Sequence, residues 1–172
     1  MPITNTEYCQ VLSNVRAVIL DARCKPEPET NRGRILVYWS IGKAMNVRIS
    51  WGDKFIPSLA RDIQAEFPGE KGYSARNLGY MRKFATLFPE VDVMQAPLSD
   101  LSWYHHQALM DKTADLARYI WYAEQTAENG WTRDDLVHLI ETGLFERQAA
   151  RARAIIERKH RHRNRANSFT TP

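Results

Sequence analysis

The chain has 172 residues, of which 44% are hydrophobic and 26% charged, enough for one domain with its own core and against disorder throughout. No stretch approaches the roughly 18 uninterrupted apolar residues of a membrane span, and the first residues lack the basic start and apolar run of a secretory leader. Net charge is +4, unevenly placed: residues 1–146 carry 16 Lys and Arg against 19 Asp and Glu, a net of −3, whereas residues 147–172 carry 8 basic residues against Glu157, a net of +7.

That asymmetry concentrates any bulk attraction to phosphate at one end. Cys9 and Cys24 make neither a disulfide framework nor a metal site. On one helix they would stand about 22 Å apart, beyond the reach of a disulfide. A reducing cytoplasm is the expected location.

Tyr8, Val11, Leu12, Val15, Ile19 and Ala22 follow the spacing of an amphipathic helix, which Lys25-Pro26-Glu27-Pro28 breaks. A second helix is predicted over residues 30–45. Its middle, Ile35-Leu36-Val37-Tyr38-Trp39, is apolar on all sides, as in a central, wrapped helix. Trp51-Gly52-Asp53 reads as a turn with Asp53 as N-cap. Phe55, Ile56, Leu59, Ile63 and Phe67 give a third stripe, with Pro57 near the first turn where proline is tolerated.

After a glycine-containing break at residues 67–73, Ser74 caps a fourth helix. That helix turns Leu78, Met81, Ala85 and Phe88 inward and stops before Pro89. A loop over residues 89–99, closed by Ala96-Pro97, leads to Ser102, the cap of a helix over 103–110. A helix from Thr113 or Ala114 to Glu128 buries Leu116, Tyr119, Ile120 and Ala123, and Asn129-Gly130 ends it. Thr132 caps another, with Leu136, Leu139, Ile140 and Leu144 along one side. A basic helix over about 145–162 then frays into Asn164 to Ser168. No alternating run argues for a sheet. The fold class is all-α, with a helical domain at 1–146 and a basic tail at 147–172, helical and then disordered.

Residues 54–67 and 74–88, joined through glycines, have the outline of a helix-turn-helix unit with a long turn. Opposite the apolar side of the second helix lie Arg76, Gly79, Tyr80 and Lys83. Arg76 and Asn77 occupy the first turn, where recognition helices present base-reading side chains. Arginine forks onto guanine and asparagine onto adenine, while Lys83 suits a phosphate. Any surface helix has such an outer face, so the pattern alone is weak. Gly79 costs about 1 kcal/mol in a helix interior relative to alanine, which points to close approach by a partner or a neighbouring helix.

His105 and His106 diverge by about 100° on a helix and cannot share one metal, and His138, His160 and His162 make no zinc spacing. Glu157-Arg158-Lys159 spells half of a PD-(D/E)xK nuclease motif, but on a helical, basic stretch without the strand such a site needs. No phosphate-cradling glycine loop or nucleophile elbow is present. No cofactor is implied. In the tail, Arg151, Arg158, Lys159, Arg161 and Arg163 are candidates for phosphate contacts with strong salt dependence; the same composition also suits RNA, anionic lipid, an acidic protein or a solvated helix end.

Four segments in order, VYWSIGK at 37–43, LARDIQAEF at 59–67, YSARNLGYMRKF at 73–84 and LSWYHH at 101–106, resemble the N-terminal domain of YhcG-family proteins over roughly residues 8–145. The resemblance implies a helical domain serving in DNA binding, which family members typically join to a C-terminal PD-(D/E)xK nuclease domain. Here the sequence runs into the basic tail where that domain would begin, so the expectation is a stand-alone or truncated, non-enzymatic form. The leading expectation is a DNA-binding module. It contacts DNA through Arg76, Asn77, Tyr80 and Lys83 and phosphates through the tail, with no membrane association. The alternative is a protein-interaction module, using Trp103, Trp121, Trp131, Tyr104 and Tyr122 to meet a nuclease partner or a second copy.

Overall fold

The structure, a computed structural model, describes residues 5–24, 30–46, 52–90, 95 and 97–168. Among them are eight α-helices and no strand: α1 (Asn5–Cys24), α2 (Asn31–Met45), α3 (Phe55–Glu66), α4 (Ala75–Leu87), α5 (Trp103–Lys112), α6 (Leu116–Asn129), α7 (Arg133–Glu141) and α8 (Leu144–Ser168). The expected break at Lys25-Pro26-Glu27-Pro28, Trp51, and the Ala96 end of the 89–99 loop lie outside the described residues.

Side-chain caps set several starts, because the first N–H groups of a helix have no partner within it. Thr30 accepts from the Gly33 amide at 3.0 Å, Ser74 from Asn77 at 3.2 Å and Asp115 from Arg118 at 2.8 Å. Thr132 and Asp135 form a reciprocal capping box. Gly130, at φ 64°, takes the left-handed conformation that ends α6.

Asp53 does not cap α3; Lys54 is the cap residue and provides no side-chain bond. Ser102 precedes α5 as expected but places its hydroxyl 2.7 Å from Nδ1 of His105 instead of on a backbone amide. The basic helix α8 continues to Ser168 rather than fraying after residue 162.

The centre of the molecule is the contact between α2 and α4. Gly42 makes it possible, since a Cβ built there would lie 2.1 Å from the carbonyl oxygen of Met81. Removing one side chain therefore lets two backbones touch. Around this contact Ile35, Ile41, Met45, Leu78, Met81 and Phe84 are wholly buried. Helix α1 packs its Val11, Val15 and Ile19 stripe against α2 and α3, and α4 also meets α3 and α5. Helices α5, α6 and α7 build a second layer from Leu109, Tyr119, Tyr122 and Leu136, to which α8 attaches.

Two burial expectations fail. Helix α2 is not wrapped on every side, since Leu36 is 36% exposed. Leu116 is 45% exposed, because α6 begins there and its first turn faces water, while the core is reached at Tyr119.

Candidate nucleic-acid interface

Helix α4 runs between α2, α3 and α5, so much of its surface is committed to packing. What remains outward is a ridge at helical spacing: Arg76 exposed, Gly79 and Tyr80 half-buried, Lys83 and Thr86 exposed. The Arg76 guanidinium lies 5.7 Å from the centre of the Tyr80 ring and 3.4 Å from its hydroxyl. Tyr80 in turn donates to Asp111 of α5 at 2.6 Å. Lys83 donates to the Met110 carbonyl, leaving two of its three N–H donors for another partner. A Cβ at Gly79 would have nothing within 4 Å among the described residues. Among the described residues no neighbouring helix approaches this glycine; the close internal approach is at Gly42.

Asn77 sits differently. Its amide oxygen accepts from the Trp103 indole at 2.7 Å and from Gln107 at 2.9 Å, and its nitrogen donates to the Gly72 carbonyl at 2.5 Å. The side chain thus ties α4 to α5 and to the turn before α4. These bonds engage the atoms that adenine recognition would use.

The ridge separates two concavities. At its N-terminal end a cleft of about 520 Å³ is lined by Arg34, Tyr38, Gly72, Ser74, Arg76, Asn77, Trp103, Tyr104, Gln107 and Arg133. It brings guanidinium groups from α2, α4 and α7 to one place, and no Asp or Glu is among its lining residues. At the C-terminal end an open groove of about 670 Å³ holds Gly79, Arg82 and Lys83 beside Lys43 and Asn46. Here Trp39 and Lys43 of α2 donate to the carbonyls of Phe88 and Pro89 at 2.7 and 2.8 Å, closing the end of α4.

Arg34, Arg133 and Lys43 escaped the sequence reading. They are far from α4 in the chain, and no local spacing marks them as its neighbours. The aromatics expected at a protein interface are mostly packed. Trp103 and Tyr122 are buried, Trp121 and Trp131 half-buried, and Tyr104 alone of the five is prominent, at 64% exposed.

Helix α8 is anchored by its first turn, where Phe145 packs on Trp121 at 5.3 Å and its amide meets the Tyr122 hydroxyl at 3.1 Å. From residue 150 to 159 every position is exposed, including Arg151, Arg153, Arg158 and Lys159. Glu157-Arg158-Lys159 lies on this helix. Arg161 and Arg163 also fall within it, their side chains lying outside the described residues.

The class of protein so defined is an all-helical domain with a cationic ridge flanked by two hollows and a projecting basic helix. The DUF1016 N-terminal domain model matches residues 14–147, from α1 into the first turn of α8, and the chain belongs to that family, the YhcG-type N-terminal domain. No curated protein and no solved structure matches it. Among the described residues no helix is long and apolar enough to cross a membrane.

Proposed function

We propose that the chain is a non-catalytic DNA-binding module that sets the outer ridge of α4 against duplex DNA and lays the arginines of α8 along phosphates. The observation that carries this reading is Gly79. A glycine inside a helix costs about 1 kcal/mol relative to alanine, and none of the described residues takes up the space above it. A bare backbone patch between Arg76 and Lys83 suits a partner that comes close and is negatively charged. Arg76 and Lys83 supply the contacts to that partner, and Asn77 holds the helix in position. Helices α3 and α4, joined by residues 67–74, act as the helix-turn-helix-like unit of the proposal. The proposed setting is the cytoplasm, in keeping with two free, exposed thiols at Cys9 and Cys24.

Fluorescence anisotropy with a labelled duplex tests the reading. Arg76→Ala combined with Lys83→Ala should weaken binding about ten-fold or more. Equal affinity in that variant removes the α4 ridge from the proposal.

A second reading has its own observation. Ile155 and Ile156 are 53% and 54% exposed on α8, where adjacent isoleucines in water suit a protein contact. The partner would be a nuclease subunit or a second copy. A mass by light scattering that falls to the monomer on Ile155→Lys, Ile156→Lys substitution supports self-association; a monomeric mass in both forms removes it.

A further inference from the structure

We propose that the cleft at the N-terminal end of α4 takes an unpaired nucleotide, with a strand phosphate among Arg34, Arg76 and Arg133 and the base stacked on Tyr104. This rests on the nucleic-acid reading above and adds a second, distinct element to it, a pocket for single-stranded DNA beside the duplex-facing ridge.

Charge comes first. The three arginines come from α2, α4 and α7, so the fold, not the local sequence, gathers them. Arg34 has no ion pair among the described residues. Arg133 pairs with its chain neighbour Asp134, itself 89% exposed, a contact that water weakens. Arg76 rests on the Tyr80 ring and hydroxyl. Each guanidinium has five N–H donors, so planar forks remain for phosphate oxygens.

The aromatic comes second. Tyr104 is 64% exposed, although Trp103 beside it is buried. A large ring kept in water next to three arginines is the arrangement in which single strands are held, the base on the ring and the phosphates on the cations. A duplex buries its base faces in its own stack, so a stacking side chain selects an unpaired base.

Size and stiffness agree. The cleft, about 520 Å³, lies in the range of small-ligand pockets. Its floor is fixed by the three hydrogen bonds of Asn77 and by the Tyr38 ring set edge-on to Trp103 at 4.9 Å. The site is therefore formed before the ligand arrives, which lowers the ordering cost of binding. Arg76 borders both the ridge and the cleft, so a strand leaving the end of a duplex on α4 enters the cleft directly.

The test uses the full chain and three labelled probes: a short oligothymidylate, a blunt duplex, and that duplex with a thymidine overhang. The overhang duplex should bind more tightly than the blunt one. Tyr104→Ala should weaken oligothymidylate and overhang binding about ten-fold and Tyr104→Phe much less, because stacking needs the ring and not the hydroxyl. Blunt-duplex affinity should stay unchanged. Arg34→Gln should reduce the salt slope for oligothymidylate by about one phosphate contact. Oligothymidylate binding indifferent to Tyr104→Ala, or equal losses on all three probes, overturns the assignment. An overhang that adds nothing, with blunt-duplex binding still dependent on Arg76 and Lys83, overturns this inference and leaves the duplex reading standing. Absence of binding to any probe takes both away.

Discussion

The Tyr119 hydroxyl donates to Nδ1 of His106 across 2.6 Å, in the interior where α5 meets α6. The direction follows from the other side of the ring. Nε2 lies 2.9 Å from the Leu98 carbonyl, which can only accept, so Nε2 carries the proton and Nδ1 accepts. The imidazole is fully buried and neutral, burial holding its pKa down to about 4. It is a core histidine, and its place is to join α5, α6 and the turn before α5.

A pH dependence follows. An unfolded histidine titrates near 6.5, so below that value the unfolded chain binds a proton that the folded chain refuses until about pH 4. Stability is therefore full above pH 6.5 and falls as the pH is lowered. Between about pH 7 and pH 5, above the main carboxylate range, the loss should be about 2 kcal/mol. Urea denaturation of the wild type and of His106→Gln across that interval checks it. The variant should be less stable at neutral pH but show a flatter profile, and parallel profiles would assign the pH dependence to other groups.

The two glycines of the α2–α4 region should respond in opposite directions. Gly42→Ala forces a methyl onto the Met81 carbonyl and Ala85 and should destabilise by about 2 kcal/mol or more, the scale of overpacking in a close contact. Gly79→Ala meets empty space and should stabilise by up to about 1 kcal/mol through helix propensity. Gly79→Gln should fold equally well yet weaken duplex binding by blocking the bare patch. Denaturation midpoints and anisotropy on the same preparations separate the two effects.

Asn77→Ala should cost about 2 to 3 kcal/mol, because it strands the Trp103 indole N–H and the Gly72 carbonyl as well as removing its own bonds. The expected signature in binding is a uniform weakening across DNA sequences that follows the loss of stability. A change confined to adenine positions would instead give Asn77 a base-reading role.

Removing residues 147–172 should leave the unfolding midpoint of the remaining domain little changed, since α8 is anchored by its first turn and residues 150–159 are all exposed. DNA affinity should fall for every sequence, and the plot of log affinity against log salt should become shallower by several phosphate contacts. A titration at two or three salt concentrations measures this. An unchanged slope removes α8 from the interface.

The sequence made the helices legible because their signals are local: apolar spacing in α1 and α3, Ser74 and Thr132 as caps, Gly130 as a stop. It also placed Arg76 and Lys83 on the outer side of α4, as the burial of Leu78, Met81 and Ala85 requires. It erred where the answer depended on neighbours. Asn77 looks like a free first-turn residue until α5 arrives with Trp103 and Gln107. Leu36 looks buried because its segment is apolar, yet among the described residues it stands exposed. The cleft was illegible for the same reason, since Arg34, Arg76 and Arg133 meet only when α2, α4 and α7 have packed.

At the contact of Gly42 with the Met81 carbonyl, α2 and α4 meet through their backbones. Helices that touch main chain to main chain cannot slide or splay without tearing the densest part of the core, so Arg34 and Arg76 ride on a single stiff frame. In the proposed cleft the two arginine stems are then spaced by the packed backbone before any ligand arrives, while their exposed ends stay free to adjust.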